Sequence, residues 1–186
     1  LDIGIRTIAV ERSTILLNGE PIFLKGFGKH EDFAISGRAN FSPLVVKDYA
    51  LLKWIGANSY RTAHNPYSEE QMIMADREGI IIIDEIPNVS LQFGGGDESV
   101  AERLRVCKQQ MAELSARDKN HPSVIMWSIA NEPMPLDMMK RFTGGEVDPT
   151  DPATTAFFQE LYDLCRKEDP TRLVTLVGMH GCPIEW

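Results

Sequence analysis

Long apolar runs are missing from this chain. Nothing in it approaches the roughly 20 consecutive apolar residues that a helix needs to cross a bilayer, so a helical membrane anchor is not expected within it. A basic stripe is missing too. The 19 Lys and Arg are outnumbered by 27 Asp and Glu, for a net charge of -8. Without a positive surface to displace counterions from phosphates, nucleic acid is not expected as a partner. Cysteine is scarce: Cys107, Cys165 and Cys182 are odd in number and far apart. Cys107 and Cys165 fall on apolar helix faces and are expected as buried free thiols. His180-Gly-Cys182 with His64 or His30 can be drawn as a metal ligand set, but no Cys-x-x-Cys or His-x-x-x-His spacing supports one. No Gly-x-Ser-x-Gly elbow points to acyl transfer. No Gly-x-Gly-x-x-Gly follows a strand to hold a dinucleotide, and no cofactor is expected. The first residues lack both an initiating Met and a charged-apolar-small signal layout. They read as mid-protein sequence and leave cytoplasmic and secreted locations equally open. Asn40-Phe-Ser42 and Asn88-Val-Ser90 fit the glycosylation triplet, a pattern that arises readily by chance.

What is present is an ordinary globular composition, 43% hydrophobic and 25% charged over 186 residues, enough for a proper core in one domain. Residues Ile3 to Gly19 read as a short strand and a hairpin turned at Asn18-Gly19. From Pro21 the pattern is strand then helix, repeated. Ile22–Phe27 is the first core strand. A helix follows with Ser42 as N-cap and Pro43 at its first position. Val45, Tyr49, Leu52 and Ile55 form its apolar stripe and Gly56 its end. Ala57–Thr62 is the second strand. Ser68 and Gln71 make a capping box for a helix that closes at Gly79. Ile80–Ile83 with Asp84-Glu85 is the third strand, ending in carboxylates, and the Gly94–Gly96 loop is flexible by composition. Val100, Leu104, Cys107, Met111 and Leu114 step at helical spacing. Asp151-Pro152 opens a helix with Phe157, Leu161 and Leu164 inward, and Arg172–Val177 is a fifth strand. Such alternation implies right-handed parallel units, closed as an eight-fold barrel or left as an open doubly wound sheet. Polar residues at the ends of several strands favour the barrel.

The most informative stretch is Asp118-Lys-Asn-His-Pro-Ser-Val-Ile-Met-Trp-Ser-Ile-Ala-Asn-Glu-Pro133. Its apolar run from Val124 to Ala130 reads as a fourth strand, buried on both faces. Pro133 cannot donate to a ladder and stops it. In parallel sheets with helical crossovers, ligands bind at the carboxyl ends of strands. Asn131 and Glu132 are therefore placed for chemistry on a polar, neutral substrate.

This stretch resembles the acid/base signature of glycoside hydrolase family 2, which includes β-glucuronidases, β-galactosidases and β-mannosidases. The resemblance covers nearly the whole chain and implies a TIM (β/α)8 barrel. Such a barrel typically takes about 250 residues. With about five core strands, this chain is expected to be its incomplete N-terminal portion: 1-19 would end a preceding β-sandwich domain, and 20-186 would begin the catalytic barrel. The implied chemistry is retaining hydrolysis, which uses two carboxyl groups about 5–5.5 Å apart. Glu132 would be the acid/base, partly desolvated and facing a second carboxylate so that it holds its proton. Asn131 would bond the hydroxyl beside the anomeric carbon. The nucleophile would be a Glu on the seventh strand, outside this chain; Glu85 and Glu185 do not fit the family's pattern. Isolated, the chain is expected to be inactive.

Gly26-Phe-Gly-Lys-His-Glu-Asp32 resembles the β-glucuronidase version of the first-strand motif. It implies that Asp32 accepts hydrogen bonds from sugar hydroxyls far from the scissile bond and that His30 belongs to the substrate-binding set, with Glu31 left as a solvated loop residue. Asn58-Ser-Tyr-Arg-Thr-Ala-His-Asn-Pro66 resembles the family's other signature. There Arg61 would hold the nucleophile ionised and His64 would line the pocket. Many members have Tyr where this chain has Asn65. The expected partner is a β-glucuronide or related carbohydrate, and the complete protein is expected to be a homo-oligomer. β-Galactosidase or β-galacturonidase activity is the nearest alternative; a non-catalytic carbohydrate-binding or complementation fragment is the alternative of another kind.

Overall fold

Pairing direction divides the strands into two sheets. The computed structural model describes residues 4–39, 41–93, 95–134 and 152–178. Asn40, Asp151, His180, Cys182 and Glu185 lie outside the described residues. An antiparallel sheet contains β1 (Ile8–Glu11), β2 (Thr14–Leu17) and β3 (Glu20–Ile22). A parallel sheet follows in strict chain order: β4 (Gly26–Lys29), β5 (Ser59–Thr62), β6 (Ile81–Glu85), β7 (Val124–Asn131) and β8 (Leu173–Val177). Among the described residues, four helices supply crossovers: α1 (Ser42–Trp54), α2 (Glu69–Glu78), α3 (Asp97–Asp118) and α4 (Pro152–Glu168). Five consecutive parallel strands in sequential order form an incomplete portion of a barrel.

The hairpin turn at Asn18-Gly19 forms as expected, with both residues at positive φ, 54° and 81°, the mirror-image geometry that suits strand twist. The expected first core strand divides differently. Ile22 pairs with Ile15 in the antiparallel sheet, and the parallel sheet starts only at Gly26. Gly26 is required where it stands, because a Cβ there would lie 2.3 Å from the Ser59 carbonyl oxygen.

Helix ends also differ in detail. Phe41, in extended conformation, takes the N-cap place expected of Ser42. The first N–H groups of a helix have no partner inside it, so Pro43 one place further in removes nothing. Ile55 caps the other end and is 57% exposed rather than part of the stripe that buries Val45, Tyr49 and Leu52. Ser68 does cap α2, accepting from the Gln71 N–H at 3.4 Å. The answering arm comes from Glu31 instead of Gln71: its Oε1 accepts from the Ser68 N–H at 3.3 Å and hydroxyl at 2.9 Å. Glu31 is thus a tether between the first-strand loop and a helix N-terminus, where a negative charge is favoured. Gly79 ends α2 in the left-handed conformation, φ 68°.

The core lies between the sheet and its helices, around Trp127, Tyr49, Tyr60, Met72, Ile82, Met111, Ile129 and Leu161. α3 packs on α4, and Phe93, Phe157 and Phe158 meet edge to face at 5.1–5.8 Å. Cys107 and Cys165 are buried free thiols, pushed up by burial to about 11 and about 12 respectively.

At the amino-terminal ends of the strands, the chain is bound together by charge. Arg6 donates to the carbonyls of Pro122 and Val124 at 3.1 and 2.6 Å. Arg172 meets the same Val124 carbonyl at 2.8 Å, the Lys119 and His121 carbonyls, and Asp169. Beside them His121 Nδ1 lies 2.6 Å from Asp76 Oδ2, whose other oxygen accepts the Ser123 N–H at 3.0 Å. The Asp76 hydrogen bond, opposed by burial, raises His121 above its ordinary 6.5. Burial would raise Asp76, but bonds from His121 and Ser123 outweigh it and hold Asp76 below its ordinary 3.8. A raised His contributes stability below pH 6.5 that fades as pH climbs through its folded value. A depressed Asp contributes above 3.8 and fades as pH falls through its folded value. The pair is therefore worth most between these limits. Asp76→Asn is expected to move the His121 NMR titration midpoint downward; an unmoved midpoint would contradict the pairing.

Candidate active site

All five parallel strands end at the same rim, and that rim collects most of the residues singled out in the sequence. β7 delivers Asn131 and Glu132. The chain turns there under hydrogen bonds from both sides. The Asn131 N–H donates to the Asn88 carbonyl, and its own carbonyl accepts the Ser90 N–H, each at 2.8 Å; the Glu132 N–H donates to the Val177 carbonyl at 2.7 Å. Asn88 also spends its side-chain amide on the Ile129 carbonyl at 3.0 Å. At 3% exposure, it is closed to the glycan that its sequence triplet would permit.

Glu132 sits at φ 48°, the left-handed region that costs a residue with a Cβ roughly 1–2 kcal/mol. Such outliers gather at functional sites because the surroundings over-determine them. Its side chain is exposed and its carboxyl bonds to none of the described residues. The neighbouring Asn131 side chain is 3% exposed, and its amide oxygen has no hydrogen-bond partner among the described residues. Buried polar atoms are ordinarily paired, so this oxygen has capacity left for a ligand.

Across the rim a second group assembles around Glu85, at the end of β6 and fully buried. Its carboxylate accepts from Arg61 Nη1 at 2.6 and 2.5 Å, from Ser128 Oγ at 2.6 Å, and contacts His64 Nδ1 at 2.9 Å. His30, on the loop after β4, meets His64 ring edge to ring face with centroids 5.3 Å apart. The structure thus joins Arg61, His64 and His30, and places Asn131 and Glu132 on the adjoining strand end. It leaves Asp32 exposed on its loop, with no hydrogen bond to another described residue. Asn65 turns its amide to the Pro66 carbonyl at 2.9 Å.

Sequence reading missed Ser128 altogether, and it considered Glu85 only as a strand-end carboxylate that does not fit the family's nucleophile. A signal was available: carboxylates at 84 and 85 occupy successive strand positions, and successive side chains point to opposite faces. Asp84 is the one turned outward, beneath α3. It accepts from Thr62 Oγ1 at 3.1 Å, and burial, reinforced by the charge of Asp118, pushes it well above the usual carboxylate range. Asp118 has its own cation, with Arg117 at 2.7 and 2.5 Å.

Beneath the rim the inner face of the sheet forms a concavity of about 280 Å³, lined among others by Gly26, Gly28, Ser59, Arg61, Ile83, Met126 and Thr175. Another hollow, of about 610 Å³, lies at the opposite end by Gly4, Asp76, His121 and Pro122, away from these groups. Lys29, inside the first-strand motif, points away from the rim. It is buried 3.0 Å from Asp48, with Tyr67 and Tyr60 ring centroids at 5.2 and 5.8 Å. Among the described residues, no group of three or more His, Cys, Asp or Glu side chains is arranged to hold a metal ion.

Residues 8–184 match the description "Glycosyl hydrolases family 2, TIM barrel domain". This chain belongs to that family. The beta-glucuronidase of Paenibacillus borealis is 44% identical over 95% of this chain and 28% of its own length. That of Rattus norvegicus is 45% identical over 96% of this chain and 25% of its own. Among solved structures, Bifidobacterium dentium beta-glucuronidase complexed with coumarin-3-O-glucuronide superimposes with a TM-score of 0.81 at 42% identity, over 94% of this chain and 26% of that one. The chain therefore spans about a quarter of the length of these glycosyl hydrolase relatives.

Proposed function

We propose that this chain supplies the acid/base side of a retaining β-glucuronidase site, which cleaves terminal β-D-glucuronides by double displacement. The observation that carries the reading is the constrained turn at Asn131-Glu132, at the carboxyl end of a parallel strand in a family 2 barrel. Glu132 protonates the departing glycosidic oxygen, then deprotonates the water that releases the sugar. Asn131 bonds the hydroxyl beside the anomeric carbon, a contact that strengthens in the transition state. His30, Asp32 and His64 bond sugar hydroxyls farther from the scissile bond. Arg61 faces the nucleophile, a carboxylate carried on a strand outside this chain, and helps to hold it ionised. The antiparallel sheet is the handover from a β-sandwich domain near residue 20, and the complete protein assembles as a homo-oligomer.

The sugar preference draws its support from relatives named beta-glucuronidase and from the wording of Gly26–Asp32. A panel of chromogenic glucuronides, galactosides and galacturonides, offered to the complete protein, tests it. Glucuronides are expected to be cleaved fastest, and faster cleavage of either galacto-configured sugar overturns the preference. On this reading, with the nucleophile on another strand, the 186 residues alone are expected to give no turnover; saturable sugar binding without turnover by the complete protein would instead mark a binding module.

A further inference from the structure

We infer that Glu85 is a positioning residue for this site: it fixes the ring of His64 with its Nδ1 hydrogen turned inward, which leaves Nε2 as the nitrogen offered to the sugar. The inference rests on the sugar-hydrolase reading for what meets Nε2, but the ring geometry stands without it.

The carboxylate of Glu85 is saturated. Oε1 takes Arg61 Nη1 and faces His64 Nδ1; Oε2 takes Arg61 Nη1 and Ser128 Oγ. An ionised carboxylate has about four lone-pair sites and no donor, and all of these are in use. Thr62 Oγ1 accepts the Glu85 backbone N–H at 2.8 Å, so main chain and side chain are both pinned. With no exposed surface and no free lone pair, Glu85 can neither attack an anomeric carbon nor carry a proton to substrate. Its effect must pass through the groups it holds.

For His64 that effect has a definite sense. A lone pair on Nδ1 would stand 2.9 Å from a carboxylate oxygen, two acceptors facing each other. Arg61 Nη1 lies 3.1 Å from the same Nδ1, yet the guanidinium has donors only and its nearer acceptors are the carboxylate oxygens. Both donors converge on Oε1. The ring therefore keeps hydrogen on Nδ1, and the bond at one nitrogen sets the role of the other. In the neutral ring Nε2 is then an acceptor, matched to a sugar hydroxyl that donates. The His64 side chain is 25% exposed.

The test uses the complete protein labelled with 15N-histidine, at alkaline pH where imidazole is neutral, with the His64 signals assigned by their loss in His64→Gln. The parent is expected to show the Nδ1–H form. Glu85→Gln, whose amide can donate to Nδ1, is expected to shift His64 towards the Nε2–H form and to lower kcat about 100-fold, as a small misplacement of binding groups does. A parent in the Nε2–H form overturns the inference even if the variant does not fold. So does a folded Glu85→Gln protein with an unchanged spectrum or unchanged kcat. Absence of glucuronide turnover in the parent would strike the functional reading and leave the ring form still measurable.

Discussion

Glu132→Gln in the complete protein is expected to lower turnover of glucuronides with unactivated aglycones by about 10²–10⁴-fold, the usual worth of a positioned proton donor. Two controls separate chemistry from damage. A substrate whose leaving group departs without a proton bypasses the first step, and azide, which needs no base, bypasses the second. Azide is therefore expected to restore turnover of good leaving groups by the variant. Unchanged cleavage of ordinary glucuronides would remove Glu132 from the mechanism. The left-handed backbone at 132 adds a check on the fold. Glu132→Gly relieves the roughly 1–2 kcal/mol of Cβ strain and adds about 0.5–1 kcal/mol of chain entropy to lose. Its thermal stability is expected to match or slightly exceed the parent while activity collapses. A residue held there for structure alone would show the opposite pattern.

Asp169→Ala is expected to be strongly destabilising. Asp169 ties four groups: Arg172 Nη1 at 2.6 Å, Trp127 Nε1 at 3.1 Å, and the Thr171 N–H and hydroxyl at 2.9 and 2.5 Å. Arg172, 5% exposed, also holds the Val124 carbonyl that begins β7 and lies with its guanidinium carbon 5.2 Å from the Trp127 ring centroid. Removing the carboxylate strands a buried cation, which costs about 3–5 kcal/mol in comparable pairs. Burial opposes the charge on Asp169, but bonds from Thr171 and Arg172 prevail and lower it to about 2. A depressed acid contributes stability above its ordinary 3.8, lost as pH falls towards about 2. Urea unfolding near neutral pH measures the cost. A variant within about 0.5 kcal/mol of the parent, the range of an ordinary surface change, would show that Arg172 finds its compensation elsewhere.

Repetition made most of the fold legible: apolar runs of strand length alternated with helical spacing, and Ser68, Gly79 and the Asn18-Gly19 turn carried their conformations in their chemistry. What escaped depended on partners distant in sequence. Ile22 reads equally as the start of a parallel strand or the end of a hairpin, and only its pairing with Ile15 decides. Glu31 looks like loop because its hydrogen-bond partner, Ser68, lies 37 residues on. Asn131 and Glu132 could be singled out because their meaning lies in contiguous sequence. Glu85 could be seen as a strand-end carboxylate but not given its role, which depends on Arg61, His64 and Ser128, brought together from β5, the loop after it and β7.

Ile80-Ile-Ile-Ile83 looks the same from either side, so apolar patterning gives β6 no preferred orientation. Sliding the strand by one residue exchanges its two faces. Asp84, whose charge is disfavoured by burial and by Asp118, would then be thrust at a guanidinium, and Glu85 would enter that buried layer without its cation. The two acids thus work as a locating pin: mispairing of this strand is penalised by charge where greasy side chains would have been indifferent.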